Sequence, residues 1–329
     1  MPSAHPQPVS REALESLLAS TARTAAELDP SGRAGLFGPA SITWRINRES
    51  ALFLGAGRAA LLQLAHPWVA TALEQHSTLM ARPIARFHST FRIVFTMVFG
   101  SLQQANAAAR QLYSTHTHIQ GDLTESTGRF PHGSHYQANE IAALRWVYAT
   151  LVESAVLAYE FVLPPLTPSE LASYYAESRT MAALFGLPPG ALPPDWQSFL
   201  IYCREMEQSA DLGATPSARA MAHNLLAGAG TWIKPPRWYS ALTTSWLAPR
   251  LRAEFALSLS PRDQSAICRA RRYLPRLYRM LPKAVRFIGP WHEAHCRLVG
   301  RPPGFIARAA NRFWIGQPQL PSPADRPDW

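Results

Sequence analysis

Residues able to do chemistry gather in a few short segments. Arg86-Phe87-His88-Ser89-Thr90 sets an arginine and a hydroxyl four residues apart, hence on one helix face, with Phe87 and Phe91 on the neighbouring face. Such a pair among aromatics suits an anion, a propionate or an oxygen intermediate. The simpler reading is a solvated arginine above a phenylalanine core face. His116-Thr117-His118-Ile119-Gln120-Gly121 carries two imidazoles two residues apart. On a helix these point in roughly opposite directions, so one mononuclear centre takes only one of them, His116 or His118. One axial imidazole is the usual protein ligand of haem. A carboxylate-bridged di-iron bundle uses Glu-x-x-His pairs, and no glutamate in the chain has a histidine three residues after it.

Other segments invite weighing. His66-Pro67 and His76, with Gln63 nearby, lie in the most apolar part of the chain. An imidazole buried without partners costs about 1–3 kcal/mol, so these histidines ask for partners. Glu74 and His76 are the candidate bases of that segment. Leu54-Gly55-Ala56-Gly57-Arg58-Ala59-Ala60 imitates a dinucleotide-binding turn. That turn needs a preceding strand and a second parallel strand ending in an acid; helical periodicity follows instead, which favours small residues where two helices pack closely. His292-Glu293-Ala294-His295-Cys296 has metal-like spacing but no third ligand nearby, and reads as a polar helix patch. Arg269, Arg271, Arg272, Arg276, Arg279 and Arg286 alternate with Tyr273, Leu274, Leu277, Tyr278 and Leu281. This pattern suits a snorkelling, half-buried helix or an anionic membrane surface. No nucleic-acid-binding signature accompanies it, so nucleic acid is not expected as a partner.

The elements that must position these residues are helices. The 329 residues are 47% hydrophobic and only 16% charged, which excludes a disordered chain. The net charge of +10 is almost all arginine, since Lys234 and Lys283 are the only lysines. Cys203, Cys268 and Cys296 are odd in number and far apart, which indicates neither a disulfide framework nor a zinc knuckle. The most apolar stretches are broken by Arg58 and His66 or by Glu153 and Glu160, and Met1 to Pro8 lacks the order of a signal peptide. A cytoplasmic protein, with peripheral membrane contact left open, is expected. Apolar residues recur at three- and four-residue steps. Helices are predicted after Ser10, over 84–99 and 102–118 with Gly100 and Ser101 between them, and over 139–163 with Asn139 as cap. Another should open at Thr167-Pro168-Ser169-Glu170, and a further one over 195–207. Pro67 should kink or interrupt 49–75. Short helices punctuated by Pro249, Pro261, Pro275, Pro282 and Pro290 should follow 235, and an extended tail rich in proline should follow Gly316. The expectation is an all-α fold: an N-terminal helix and Gly-rich loop over 1–39, one multi-helix domain over 40–305, and a C-terminal tail over 306–329.

Several segments in order resemble one family. They are Gly57-Arg58, Leu62-Gln63-Leu64-Ala65-His66-Pro67, His76-Ser77, Arg86-Phe87-His88-Ser89-Thr90 and Val98-Phe99-Gly100. Then come His116-Thr117-His118-Ile119-Gln120-Gly121, Tyr136-Gln137-Ala138-Asn139, Trp146-Val147-Tyr148-Ala149-Thr150, Leu166-Thr167-Pro168-Ser169-Glu170 and Pro236-Arg237-Trp238-Tyr239. Together, over roughly 40–303, they resemble the MpaB-type oxygenases and the catalytic domain of the latex-clearing rubber oxygenases. The resemblance implies a helical fold of globin-like character, one haem b with its iron, and oxidative cleavage of a carbon–carbon double bond by dioxygen in a small apolar or isoprenoid-like substrate. It makes His116 the proximal iron ligand, with His118 as the alternative, and Arg86 and Thr90 the distal pair. Arg58, Arg86 and His66 become residues of the cofactor site, and Glu74 a candidate base. Ser89 stands where the rubber oxygenases have a lysine, and Tyr148 where a histidine is common; the first departure removes a sixth ligand and argues against polymer cleavage. A haem carrier or sensor without turnover, and a basic membrane-surface module, are the alternatives. Oligomeric state is not legible.

Overall fold

Helix boundaries fall where side chains can cap them. In the computed structural model, which describes residues 7–77, 81–231 and 234–322, Ser10 accepts from the Ala13 amide at 3.1 Å and opens α1, Arg11–Leu28. Helix α2 (Ile42–Asn47) leads through a short turn of 3-10 helix to α3 (Phe53–Leu64). Pro67 then does not kink a continuous helix. It starts a new one, α4 (Pro67–His76), with His66 as the residue before it, because proline at the first helical position gives up only an amide that has no partner there. Next come α5 (Pro83–Phe99) and α6 (Leu102–Thr117). Ser101 and Gln104 form a reciprocal cap at the start of α6.

A loop follows that carries a short antiparallel pair, β1 (Gln120–Asp122) with β2 (His135–Gln137), Gly121 opposite Tyr136. Helix α7 (Ile141–Val162) is capped by Glu140, not by Asn139, the residue the sequence had suggested. It is the one described helix long and apolar enough to cross a membrane by length and composition, yet twelve of its residues are buried within the fold. Thr167, Pro168 and Glu170 open α8 (Pro168–Ala182) with the expected reciprocal cap, and Asp195 opens α9 (Trp196–Gln208). Helices α10 (Pro216–Ala227), α11 (Arg237–Ser245) and α12 (Pro249–Glu254) follow.

Two C-terminal expectations are corrected. Pro275 does not divide the basic stretch: α13 runs unbroken over Pro261–Met280 with the proline inside it. After α14 (Lys283–Arg286) and α15 (Gly289–Leu298), a further helix, α16 (Phe305–Ile315), occupies the first part of the expected tail and packs against α5 and α15. Buried Glu293 of α15 accepts from Asn311 Nδ2 at 2.6 Å and from the Leu320 amide, and so fastens this end down. Pro323 and Pro327 lie outside the described residues. The chain is all-α, with sixteen α-helices among the described residues.

Helix α3 packs in a tight seam on α7 and also against α11. A Cβ on Gly55 would sit 2.4 Å from the Ser154 carbonyl oxygen, and one on Gly57 would sit 2.7 Å from Thr243 Oγ1. The glycines of the Gly-x-Gly segment therefore serve helix packing inside α3, not a nucleotide turn. Trp146 of α7 donates to the Leu62 carbonyl at 2.9 Å and locks the same seam.

Candidate active site

Three helix segments in one part of the bundle leave apolar side chains half open. In α5 no residue from Pro83 to Val94 is buried, although Phe87, Phe91, Ile93 and Val94 are there; burial starts at Phe95. In α6 the buried residues are Ala105, Ala108 and Ala109, and none beyond them. In α4 burial stops at Thr71, with Ala72 and Leu73 half open. Phe91, Ile93, Val94 and Leu73 pack against the core on one side only and leave a half-open apolar face, which we term the crevice.

Arg86 and His116 stand on these half-open segments of α5 and α6. The positive charge of Arg86 reaches His116 and, after burial, is the second cause that holds its imidazole down to about 4. Burial also pulls the Arg86 guanidinium below its ordinary range, and among the described residues no carboxylate or hydrogen-bond acceptor meets it. His116 is therefore neutral at pH 7. The Asn139 side chain shares a hydrogen bond with it, while Asn139 Nδ2 donates to the Tyr113 carbonyl at 3.2 Å. Asn139 is the one influence there that raises His116, and burial with the Arg86 charge outweighs it and keeps the ring neutral. Thr90 lies one turn after Arg86, and its hydroxyl donates to the Arg86 carbonyl at 2.9 Å. Sequence reading had taken Asn139 for a helix cap. The only hint of its other role was its place after Tyr136-Gln137, at the close of the loop that begins with His118.

The structure thus sets Arg86 and Asn139 within reach of His116, with Thr90 one turn from Arg86 on α5. Other candidates lie elsewhere. His118 is exposed at the end of α6 and bonds through Nδ1 to the Ser114 carbonyl at 2.7 Å. Glu74 is exposed on α4. His76 is partnered by the Gln120 carbonyl and the Tyr136 hydroxyl, each at 3.1 Å. His66, at the other end of α4, is buried between Trp68 and Phe130; burial and the nearby Arg129 hold it down to about 4, and its Nδ1 has no partner. Arg58 is buried on α3 and already satisfied: it binds Glu153 at 2.8 Å, Glu207 at 2.9 Å, Ser154 Oγ and the Trp246 carbonyl. Those contacts turn its guanidinium toward Glu153, Glu207 and Ser154. In the His292–Cys296 segment, Glu293 is taken by Asn311 and His295 stacks on Trp291.

Among the described residues no group of three or more His, Cys, Asp and Glu could hold a bare metal ion. A porphyrin supplies four of its own nitrogens and asks the protein for one axial ligand, an apolar slot and cations for its carboxylates. A neutral, oriented imidazole, an unmatched arginine and half-open apolar helix faces are that set, so the residues fit the group. Comparison with known proteins points the same way. Residues 43–303, about four-fifths of the chain, match the family model described as ER-bound oxygenase mpaB/B'/Rubber oxygenase, catalytic domain. No curated protein and no solved structure matches the chain.

Proposed function

The chain belongs to the mpaB and rubber oxygenase catalytic-domain family, and on that premise we propose that it is a haem b-dependent oxygenase that uses dioxygen to cleave a carbon–carbon double bond in a small apolar substrate. The observation that carries the reading is the pairing of a neutral imidazole with an uncompensated arginine in a crevice of otherwise apolar character. When bound, the haem supplies the redox-active iron that activates dioxygen. His116 holds the cofactor through the nitrogen that Asn139 leaves free, and Asn139 keeps the ring in that tautomer, a supporting contact of the kind that tunes metal ligands. Arg86 supplies positive charge with no internal counter-ion, which stabilises an anionic group or developing negative charge inside the crevice. Thr90 gives a hydroxyl on the same face; while its proton stays on the Arg86 carbonyl it acts as an acceptor, and it acts as a donor only when that bond is released. Half-open Phe87, Phe91, Ile93 and Val94 exclude water from an apolar substrate and offer it no competing polar partner.

Expression with ample haem precursor tests this. The purified chain should show a Soret band that His116→Ala abolishes and His118→Ala leaves in place, and it should consume dioxygen with an isoprenoid alkene. Colourless, iron-free protein would overturn the reading. Retained haem without dioxygen consumption would leave the carrier or sensor function instead.

A further inference from the structure

The end of α13 is a surface with no use in the fold. From Arg269 to Arg286 the chain carries six arginines and Lys283 with no acidic residue. Tyr278 and Arg286 face inward: the Arg286 guanidinium binds buried Glu49 at 2.6 and 2.8 Å, and the Tyr278 hydroxyl donates to the same carboxylate at 2.9 Å. This clasp holds α13 and α14 firmly against the start of α3. What faces outward is apolar. Leu277 is 59% exposed, Met280 80% and Val285 59%, with Tyr273 beside them. Positions 273, 277 and 280 follow helical spacing, so they form one stripe and not scattered exceptions. Arg269, Arg272, Arg276, Arg279 and Lys283 are exposed around that stripe, and among the described residues no carboxylate pairs with them.

We propose that this face docks on an anionic lipid surface, with Leu277, Met280 and Val285 entering the boundary of the acyl chains and the surrounding arginines and Lys283 meeting lipid phosphates. Large exposed aliphatic side chains ringed by cations match the two layers of such an interface, one apolar and one negatively charged. Nucleic acid would use the cations alone and gain nothing from Leu277 or Met280. Under the same helix end lies an apolar cleft of about 270 Å³, lined by Leu281, Leu274, Tyr278, Phe53 and Leu54 among others. Phe53 touches Phe87 and Phe91 of α5 at 5.2 and 4.7 Å between ring centroids. Docking sets the mouth of that cleft toward lipid. The docking itself does not rest on haem or on turnover.

Vesicle sedimentation with the full chain tests it. The protein should pellet with mixed phosphatidylcholine and phosphatidylglycerol vesicles, pellet far less with phosphatidylcholine alone, and be released as salt rises. Reversing Arg272, Arg276 and Arg279 to glutamate should weaken binding by roughly a hundredfold or more, whereas reversing exposed Arg11 and Arg23 of α1 should leave it within about twofold. Leu277→Ser with Met280→Ser should remove the fraction that stays bound at high salt. As a check free of substitutions, anionic vesicles should slow tryptic cleavage after Arg272, Arg276, Arg279 and Lys283 in the unaltered chain. Equal binding by the α13 and α1 variants, unchanged cleavage at those sites, or binding to duplex DNA but not to vesicles would each overturn the proposal.

Discussion

Two arginines, Arg58 buried in the α3–α7 seam and Arg86 half-buried at the crevice between α5 and α6, are treated in opposite ways. Arg58 is matched on every side by the chain itself, with two carboxylates, a hydroxyl and a carbonyl around one guanidinium. Arg86 is only partly drawn out of water, and among the described residues no carboxylate pairs with it. A half-buried charge without an internal carboxylate, beside a neutral imidazole and half-open apolar faces, is what the proposed cofactor site would use. The seam is finished structure; the crevice is the proposed receptacle.

The largest effect should come from breaking the finished side. Arg58→Met leaves Glu153 and Glu207 facing each other without their cation, and should cost about 3–5 kcal/mol in urea unfolding. Burial already raises the Glu207 carboxyl, with Arg58 as the leading opposing influence. Arg86→Met, measured on cofactor-free protein, should leave stability unchanged or raise it, because it removes a charge with no partner. Equal losses in the two variants would show that Arg86 is structurally satisfied and would erase the distinction between the regions.

A pH titration sharpens the contrast next. His66 and His116 are each held down to about 4 in the folded chain, against 6.5 when free. Between those values the unfolded chain takes up protons that the folded one refuses, so stability is full above pH 6.5 and is lost as pH falls toward 4. For buried His66 the loss is on the order of 3 kcal/mol. His66→Phe should remove its share of the slope and leave the haem spectrum intact, while cofactor release should track His116 and occur near pH 4, not near 6.5. Release near 6.5 would show that His116 is not the ligand.

Gly55→Ala belongs to the seam again. Its Cβ meets a backbone carbonyl that cannot swing aside, so overpacking should cost about 1–3 kcal/mol with no effect on the crevice. The glycine pair was legible in the sequence, as were the caps at Ser10, Ser101 and Thr167, since all of these depend on neighbours within four residues. Arg58 was not: its partners are 95 and 149 residues away, and no local pattern announces them, so the residue read as an open cation. The same limit hid the bounds of α16, whose apolar side chains gain their place by packing on α5 and α15. His116, Arg86 and Thr90 were legible because the helical period alone puts each of them on a definite face.

The smallest effect concerns the residue that local reading misassigned. Asn139 sits two residues before α7 and donates nothing to that helix, since Glu140 accepts from the Ala143 amide at 2.6 Å. Its bonds instead run to α6, to the Tyr113 carbonyl and to the His116 ring. If it were a structural clasp alone, Asn139→Ala would cost about 1 kcal/mol of stability and leave cofactor affinity as it was. If it holds the imidazole in the ligating tautomer, the same variant should also weaken haem retention by about ten- to a hundredfold. Asn139→Asp should restore that retention, because a carboxylate accepts from the ring at least as well as an amide does, while the lost bond to Tyr113 keeps the small stability cost. Haem transfer to apomyoglobin, followed beside urea unfolding for both variants, separates the two roles, and retention that follows stability alone in both would make Asn139 part of the finished structure, like Arg58.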